Sequence, residues 1–375
     1  MRVLLLGGGL QGLSCGESLK KTKHEVGVIS DELQIRKSCY FQHVYDGGEK
    51  VNPQAIIDIV KKDKYDVVIP MGDKAVTFLS ENKELIEKNC GCKIASPENQ
   101  ILKIVEDKHL FMSFCEGNRV PHPKTCILND NQLETSAEQI GFPALIKPDY
   151  SVGARGITRV DSLNELKEKF PIIQAKFGTC TLQELIDNQE YYYNVMLYRD
   201  RNGNFPAYVI SKIVRMFPVN AGSSSCLKTV VNDELLHICK DCLNKLSWVG
   251  MADFDVLQRP DNHEYKIIEI NPRVPASLRA AYVSGVNFPL LIALDTLGRE
   301  LPHFNYKQGK ILRYLGIDIM WFLKSKRRFH TSPNWFHFYG QNIYYQDIIL
   351  RDFSTWWTWL AEGLSKITKR NKRLR

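Results

Sequence analysis

The chain has 375 residues, 44% of them apolar and 25% charged, which is too long for one compact core and excludes disorder and collagen-like architecture. No apolar run reaches the roughly 18 residues of a spanning helix, and the ten scattered cysteines include no two pairs at zinc spacing, so reduced thiols and a cytoplasmic setting are expected. The net charge of +8 lies in residues 321–375, which hold eleven Lys/Arg, three Asp/Glu and five of the six tryptophans; the balanced body argues against a nucleic-acid enzyme.

In chain order, residues 3–6 read as a first buried strand rather than a leader, and Gly7-Gly8-Gly9-Leu10-Gln11-Gly12 as a tight turn into a helix. Strands at 24–30, 65–70 and 93–95 alternate with helices at 53–62 and from about Lys74, the pattern of a parallel sheet covered on both faces. The glycine spacing fits a dinucleotide fingerprint with Asp31 as the ribose acid, so an NAD-dependent oxidoreductase is one reading; a structural turn, which also wants glycine, is the other.

From about Ile101 the texture becomes α+β. A helix is expected over 101–117 and another near Ser136, then strands at 143–147, 157–160, 181–186, 191–198, 207–214, 250–257 and 266–270, with helices following to about Leu297. Residues 147–157, Lys-Pro-Asp-Tyr-Ser-Val-Gly-Ala-Arg-Gly-Ile, form a long loop between two strands. Ser151, Gly153 and Gly156 there offer backbone N–H groups to anionic oxygens, with Lys147 and Arg155 adding charge. No Gly-Lys-Ser/Thr follows, so it is not a P-loop.

Two strands flank the turn-forming stretch 259–263. Folded about Asn262, that hairpin sets Asp255 opposite Glu269 and Asp253 opposite Asn271, all on one face. Three close carboxylates repel unless a divalent cation joins them, and an all-oxygen ligand set selects Mg²⁺ or Mn²⁺.

These motifs, in this order, resemble the ATP-grasp superfamily over roughly residues 1–300. The resemblance implies a parallel α/β domain at 1–100, a two-lobed ATP-grasp domain at 101–300 with ATP between the lobes, and an extension at 301–375. It makes Lys108 and Lys147 nucleotide lysines and residues 151–156 the phosphate loop. Gln183, Glu184, Leu185 and Ile186 become the adenine linker, Glu190 the ribose acid, and Asp255 (or its neighbour Asp253), Glu269 and Asn271 the magnesium ligands. It further implies that a carboxylate becomes an acylphosphate, steadied by Lys147 and Arg273, and is then joined to an amine. Arg215 and Ser223 would line the acceptor pocket. The narrower likeness is to single-chain carboxylate–amine ligases of the D-aspartate ligase kind, in cell-envelope or surface-polysaccharide biosynthesis. Alternatives are bicarbonate activation, as in biotin carboxylase or carbamoyl-phosphate synthase, and a nucleotide-binding regulator without turnover. A homodimer is the base-rate expectation.

In the tail, Phe353, Trp356, Trp357, Leu360, Leu364 and Ile367 fall at helical spacing ahead of six basic residues. Residues 353–375 are therefore expected to dock on the anionic inner membrane surface, with packing on the body as the alternative.

Overall fold

The structure is a computed structural model that describes residues 1–48, 51–150, 155–186, 191–219, 222–347 and Asp352. The expected tail stripe, Ser151, Gly153 and Glu190 lie outside these residues. The chain divides into two compact units: Met1–Pro97 with Arg273–Gly316 and Asn342–Arg375, and Glu98–Pro272 with Ile317–Gln341. Residues 273–300 thus join the unit that contains the N-terminus, whereas the sequence reading grouped them with 101–272.

The first unit begins β1 (Arg2–Leu6), α1 (Gly9–Lys21), β2 (Glu25–Ile29), α2 (Leu33–Arg36), β3 (His43–Tyr45), α3 (Pro53–Asp63), β4 (Val67–Pro70), α4 (Asp73–Cys90) and β5 (Lys93–Ile94). The strands form one parallel sheet in the order β3-β2-β1-β4-β5. Val3, Leu4, Leu5 and Leu6 are all buried, as expected of a central strand covered on both faces. Helix α3 shows the local logic. Asn52 caps it by accepting from Ala55 N–H at 2.9 Å, Pro53 supplies the preset first turn, and Ile56, Ile57 and Val60 face the core.

The glycine turn into α1 is structural. Gly7 and Gly9 have φ of +101° and +74°, and the Gly9 N–H donates to Glu32 Oε2 at 2.9 Å. A carboxylate of the chain itself occupies the helix N-terminus where a dinucleotide's pyrophosphate would have to sit. Asp31 is likewise engaged, accepting from Gly47 N–H at 2.8 Å. The NAD reading is corrected on these grounds.

The second unit runs α5 (Asn99–Glu106), α6 (Lys108–Gly117), β6 (Thr125–Ile127), α7 (Leu133–Ile140), β7 (Ala144–Pro148), β8 (Thr158–Val160), α8 (Leu163–Phe177), β9 (Cys180–Glu184), β10 (Tyr192–Arg199), β11 (Ala207–Phe217), β12 (Ser223–Val230), α9 (Asp233–Lys245), β13 (Gly250–Gln258) and β14 (Tyr265–Asn271). The helix expected over 101–117 is two helices. Asp107 takes extended backbone angles between them and caps α6 by accepting from Leu110 N–H at 2.9 Å. Strands β6-β9-β7-β8 form a small antiparallel sheet whose core includes Ile146, Leu166, Phe170 and Leu182. Strands β14-β13-β10-β11-β12 are antiparallel neighbours over a second core containing Phe111, Val195, Trp248, Phe254 and Ile267.

After β14 the chain returns to the first unit as α10 (Leu278–Ser284), α11 (Phe288–Thr296) and β15 (Ile311–Arg313); α12 (Leu315–Lys324) follows, and β16 (Ile343–Tyr345) pairs parallel with β15. No helix among the described residues is long and apolar enough to cross a membrane.

Within the second unit the fully buried Arg215 guanidinium is clamped by Asp318, through Nε–Oδ1 at 2.8 Å and Nη2–Oδ2 at 3.0 Å. Removing one partner of a buried pair strands the other charge. Asp318→Ala should therefore cost about 3–5 kcal/mol in urea unfolding. Asp241→Ala, in the solvated i,i+4 pair with Lys245, should cost less than about 0.5 kcal/mol. Equal losses for the two would contradict this assignment.

Candidate active site

Lys147 ends β7, paired with Thr181 on β9. Its Nζ donates to Gln183 Oε1 at 2.5 Å, and Gln183 Nε2 donates to Thr125 Oγ1 at 2.9 Å. Both side chains are buried. Burial pushes the Lys147 ammonium down to about 8; Glu269 and Asp255 pull it up, and Lys108 repels it. Lys108 opens α6, and its N–H donates to Asp149 O at 3.3 Å, so the start of this helix is tied to the end of β7. The Asp149 carboxyl is buried with one oxygen unpartnered, and that burial raises its pKa.

Glu184 links the small sheet to the hairpin. Its Oε1 accepts from Lys124 N–H at 2.9 Å, and its Oε2 pairs with Arg259 Nη1 at 2.8 Å. In the stretch Gln183, Glu184, Leu185 and Ile186, the Glu184 and Leu185 N–H groups already donate to Lys124 O and Pro143 O. A base docking there would have to meet other backbone groups. Gly156 has φ +79°, and a Cβ on it would lie 2.8 Å from both Pro148 and Phe177, so packing alone already demands glycine at this end of the loop.

On the β13–β14 hairpin, Asp253 faces Asn271 and Asp255 faces Glu269, in the register expected from the turn. A bulge after Asp255 then shifts the pairing to Val256 with Ile267, leaving Ile268 as the extra residue. The Asp255 and Glu269 carboxyls are hydrogen-bonded to each other. Burial, then the Glu269 and Asp253 charges, hold Asp255 well above the usual carboxylate range. Asn271 Nδ2 donates to Asp255 Oδ2 at 3.2 Å.

Two further residues escaped the sequence reading. Asn194 on β10 lies opposite Asp255, and its Nδ2 donates to Asp253 Oδ1 at 2.7 Å. Its own Oδ1 is buried without a partner. Tyr192, also on β10, is hydrogen-bonded to Asp255; burial and the neighbouring carboxylates push its phenol far up, so it stays a donor. The one available signal was a polar asparagine inside the apolar strand 191–198. Asp253 is thus buried against a neutral amide, and the close carboxylate pair is Asp255 with Glu269.

The donor set fits a hard cation. The Asp255 and Glu269 carboxyls oppose each other across the hairpin, and the remaining donor, Asn271, also offers oxygen. Among the described residues no group of three or more His, Cys, Asp or Glu forms a closed metal cage. The protein therefore supplies a partial shell, of the kind that Mg²⁺ or Mn²⁺ completes with water and phosphate oxygens.

Arg215 is corrected from pocket wall to buried anchor: besides Asp318 it donates to Pro333 O at 2.9 Å and Thr331 Oγ1 at 3.3 Å. Ser223 is exposed at the start of β12, opposite Phe217. Just before it, a Cβ on Gly222 would lie 2.2 Å from the Phe217 backbone, so glycine there serves the hairpin's close approach. Arg273 belongs to the first unit, where its Nε pairs with Asp73 Oδ1 at 2.7 Å.

The Lys147 shift has a testable sign. The ammonium should lose its proton with a midpoint near pH 8. Lys108→Met, which removes a repelling charge, should raise it. Amine acylation of the Lys147 peptide across a pH series reads these midpoints. A wild-type midpoint near the ordinary 10.5 would contradict the geometry.

Residues 107–288 match the family described as carbamoyl-phosphate synthase L chain, ATP binding domain. The carbamoyl phosphate synthase large chain of Methanothermobacter thermautotrophicus is 27% identical over 269 residues, covering 68% of this chain and 25% of its own length. The C-terminal section of that synthase's large chain from Methanopyrus kandleri is 24% identical over 303 residues, covering 75% of this chain and 52% of itself. The chain therefore spans between a quarter and about half of these relatives. Among solved structures, the Campylobacter jejuni biotin carboxylase β,γ-ATP complex superposes with a TM-score of 0.69 at 16% identity, over 83% of this chain and 74% of that one. The ADP complex of Staphylococcus aureus N5-carboxyaminoimidazole synthetase gives 0.66 at 14% identity, over 83% and 81%. The fold is shared with both, and the family match identifies residues 107–288 as an ATP-grasp domain.

Proposed function

We propose that the chain is an ATP- and Mg²⁺-dependent ligase that activates a carboxylate and joins it to an amine. The observation that supports this most directly is the buried Lys147 lying in the field of the opposed Asp255 and Glu269 carboxyls, a lysine and a hard-cation half-site acting on each other electrostatically. In the reaction class proposed, ATP supplies the phosphoryl group that turns the carboxylate into an acylphosphate, and Mg²⁺ neutralises charge during the transfer. Lys147, kept in its ammonium form by the negative charge of the arriving phosphates, holds them in a dry site where its charge is little screened. Asp255, Glu269 and Asn271 hold the cation. Lys108 adds charge beside Lys147, and residues 151–156 cover the phosphates. Arg273 offsets negative charge on the acylphosphate. Tyr192 and Asn194 orient the carboxylates.

A second reading, bicarbonate as the activated acid, draws support from the similarity to carbamoyl phosphate synthase, biotin carboxylase and N5-carboxyaminoimidazole synthetase. The narrower setting proposed from the sequence, a cell-envelope acceptor met at the inner membrane face through residues 353–375, rests on the apolar spacing and terminal basic run of that tail.

ADP release, screened over amino acids, sugar acids and bicarbonate with and without amines, tests the proposal and separates its two forms. An organic acid plus amine requirement supports the amide ligase; bicarbonate dependence supports the second form. Glu269→Gln keeps the side chain's shape and removes a metal-site charge, so it should nearly abolish ADP release with the melting profile unchanged. Near-normal turnover with Mg²⁺ would overturn the site. Tryptic cleavage after the exposed Arg155 should slow when Mg-ATP is added. Unchanged cleavage would argue against a phosphate-covering loop.

A further inference from the structure

Helix α12 within the second unit has its polarity reversed. Asp318 and Trp321 on one side are buried, as is Ser325 just beyond the helix. Ile319, Met320 and Leu323 face outward, between 41% and 58% exposed. A surface helix ordinarily does the opposite. The buried acid is tolerated because Arg215 and Ser225 satisfy it, at 2.8 and 3.0 Å to Oδ1. That pair fixes the helix with its apolar face outward.

The residues that follow enlarge the face. Phe322 stacks on Trp335 at 4.1 Å between ring centroids and meets Phe329 and Phe336 edge-on at 5.7 and 5.6 Å. Trp335 is itself pinned, its Nε1 donating to Asp318 O at 3.1 Å. Phe329 and Phe336 are thereby held in place while remaining 57% and 56% exposed, and Tyr339 beside them is 88% exposed. An ordered apolar surface of this kind marks an interaction site.

The charge around it selects the partner. Residues 317–341 contain Lys324, Lys326, Arg327 and Arg328, and the sole acid, Asp318, is buried in its ion pair. The face therefore presents aromatic, aliphatic and basic groups with no exposed carboxylate of its own. A second copy docked through the same face would bring these cations against each other. Single-stranded nucleic acid would stack on the rings but has no use for the aliphatic ridge of α12. An anionic bilayer surface suits all three groups: hydrocarbon for the aliphatic side chains, the headgroup zone for the rings, and phosphates for the cations.

We propose that residues 319–339 are a membrane-docking face that holds this protein on anionic lipid. The inference stands apart from the proposed reaction and from residues 353–375, and it uses different side chains.

Co-sedimentation of the full chain with phosphatidylcholine vesicles, with or without about a third phosphatidylserine, tests it. Wild type should bind the anionic vesicles, bind neutral ones poorly, and release as salt rises. Each basic residue near such a surface strengthens partition about fivefold. Lys324→Glu with Lys326→Glu should therefore weaken binding at least tenfold. Ile319→Ser with Leu323→Ser should weaken it too, and Lys369→Glu with Arg370→Glu in the tail should leave most of it. Four results would overturn the proposal: both face variants, folded by circular dichroism, binding like wild type; binding lost only with the tail variant; a dimer in solution that Ile319→Ser/Leu323→Ser splits; or oligodeoxythymidine displacing the vesicles.

Discussion

The candidate site depends on one cross-strand contact, the carboxyl–carboxyl hydrogen bond between Asp255 and Glu269. Antiparallel pairing sets directly opposed side chains a few ångströms apart, and two acids there would normally repel. Everything nearby responds to that conflict. Asp255 is held well above the usual carboxylate range, Tyr192 and Asn271 donate to it, and Asn194 donates to Asp253 at 2.7 Å and to Asp255 at 3.4 Å. Lys147, across from them on a different sheet, is kept from losing its proton more readily by these same carboxylates. A site strained in this way is prepared for positive charge. A partial oxygen shell would accept it from a cation that brings its remaining ligands along.

The small sheet and the hairpin are joined through Glu184 and Arg259, which sits in the turn below the carboxylates and also grips Asp261 at 2.9 Å. This couples the segment after β9 to the loop closing the hairpin. The opening of α6 joins the same construction, because Lys108 N–H is bonded to Asp149 at the end of β7. Three chain-distant segments thus meet through a backbone hydrogen bond and a partly buried ion pair.

The parts legible in the sequence were those decided locally. The 253–255 and 269–271 pairing followed from strand alternation and the turn residues between, because register needs only the turn and the period of two. The bulge at Ile268 was not legible, since an extra residue in an apolar run changes no pattern. The break at Asp107 was hidden inside a continuous helical periodicity, although an N-cap aspartate is its usual cause. Arg215 was misplaced because its partner, Asp318, is 103 residues further on. Tyr192 and Asn194 acquire their roles only through the β10–β13 pairing, which no short-range signal specifies. The outward apolar face of α12 has the same origin: periodicity finds the stripe, but only the distant arginine decides which side is buried.

The central claim is that Asp255 and Glu269, and not Asp253, form the cation half-site, and that filling it brings the raised Asp255 back down. Mn²⁺ titrated into the protein with ATP, followed by electron paramagnetic resonance and by proton release in weakly buffered solution, reads both parts at once. The account predicts one tight Mn²⁺ per chain, with proton release on binding. It predicts loss of that ion in Asp255→Asn and its retention, with weaker affinity, in Asp253→Asn. Retention in Asp255→Asn with loss in Asp253→Asn, or tight binding without proton release, would contradict it.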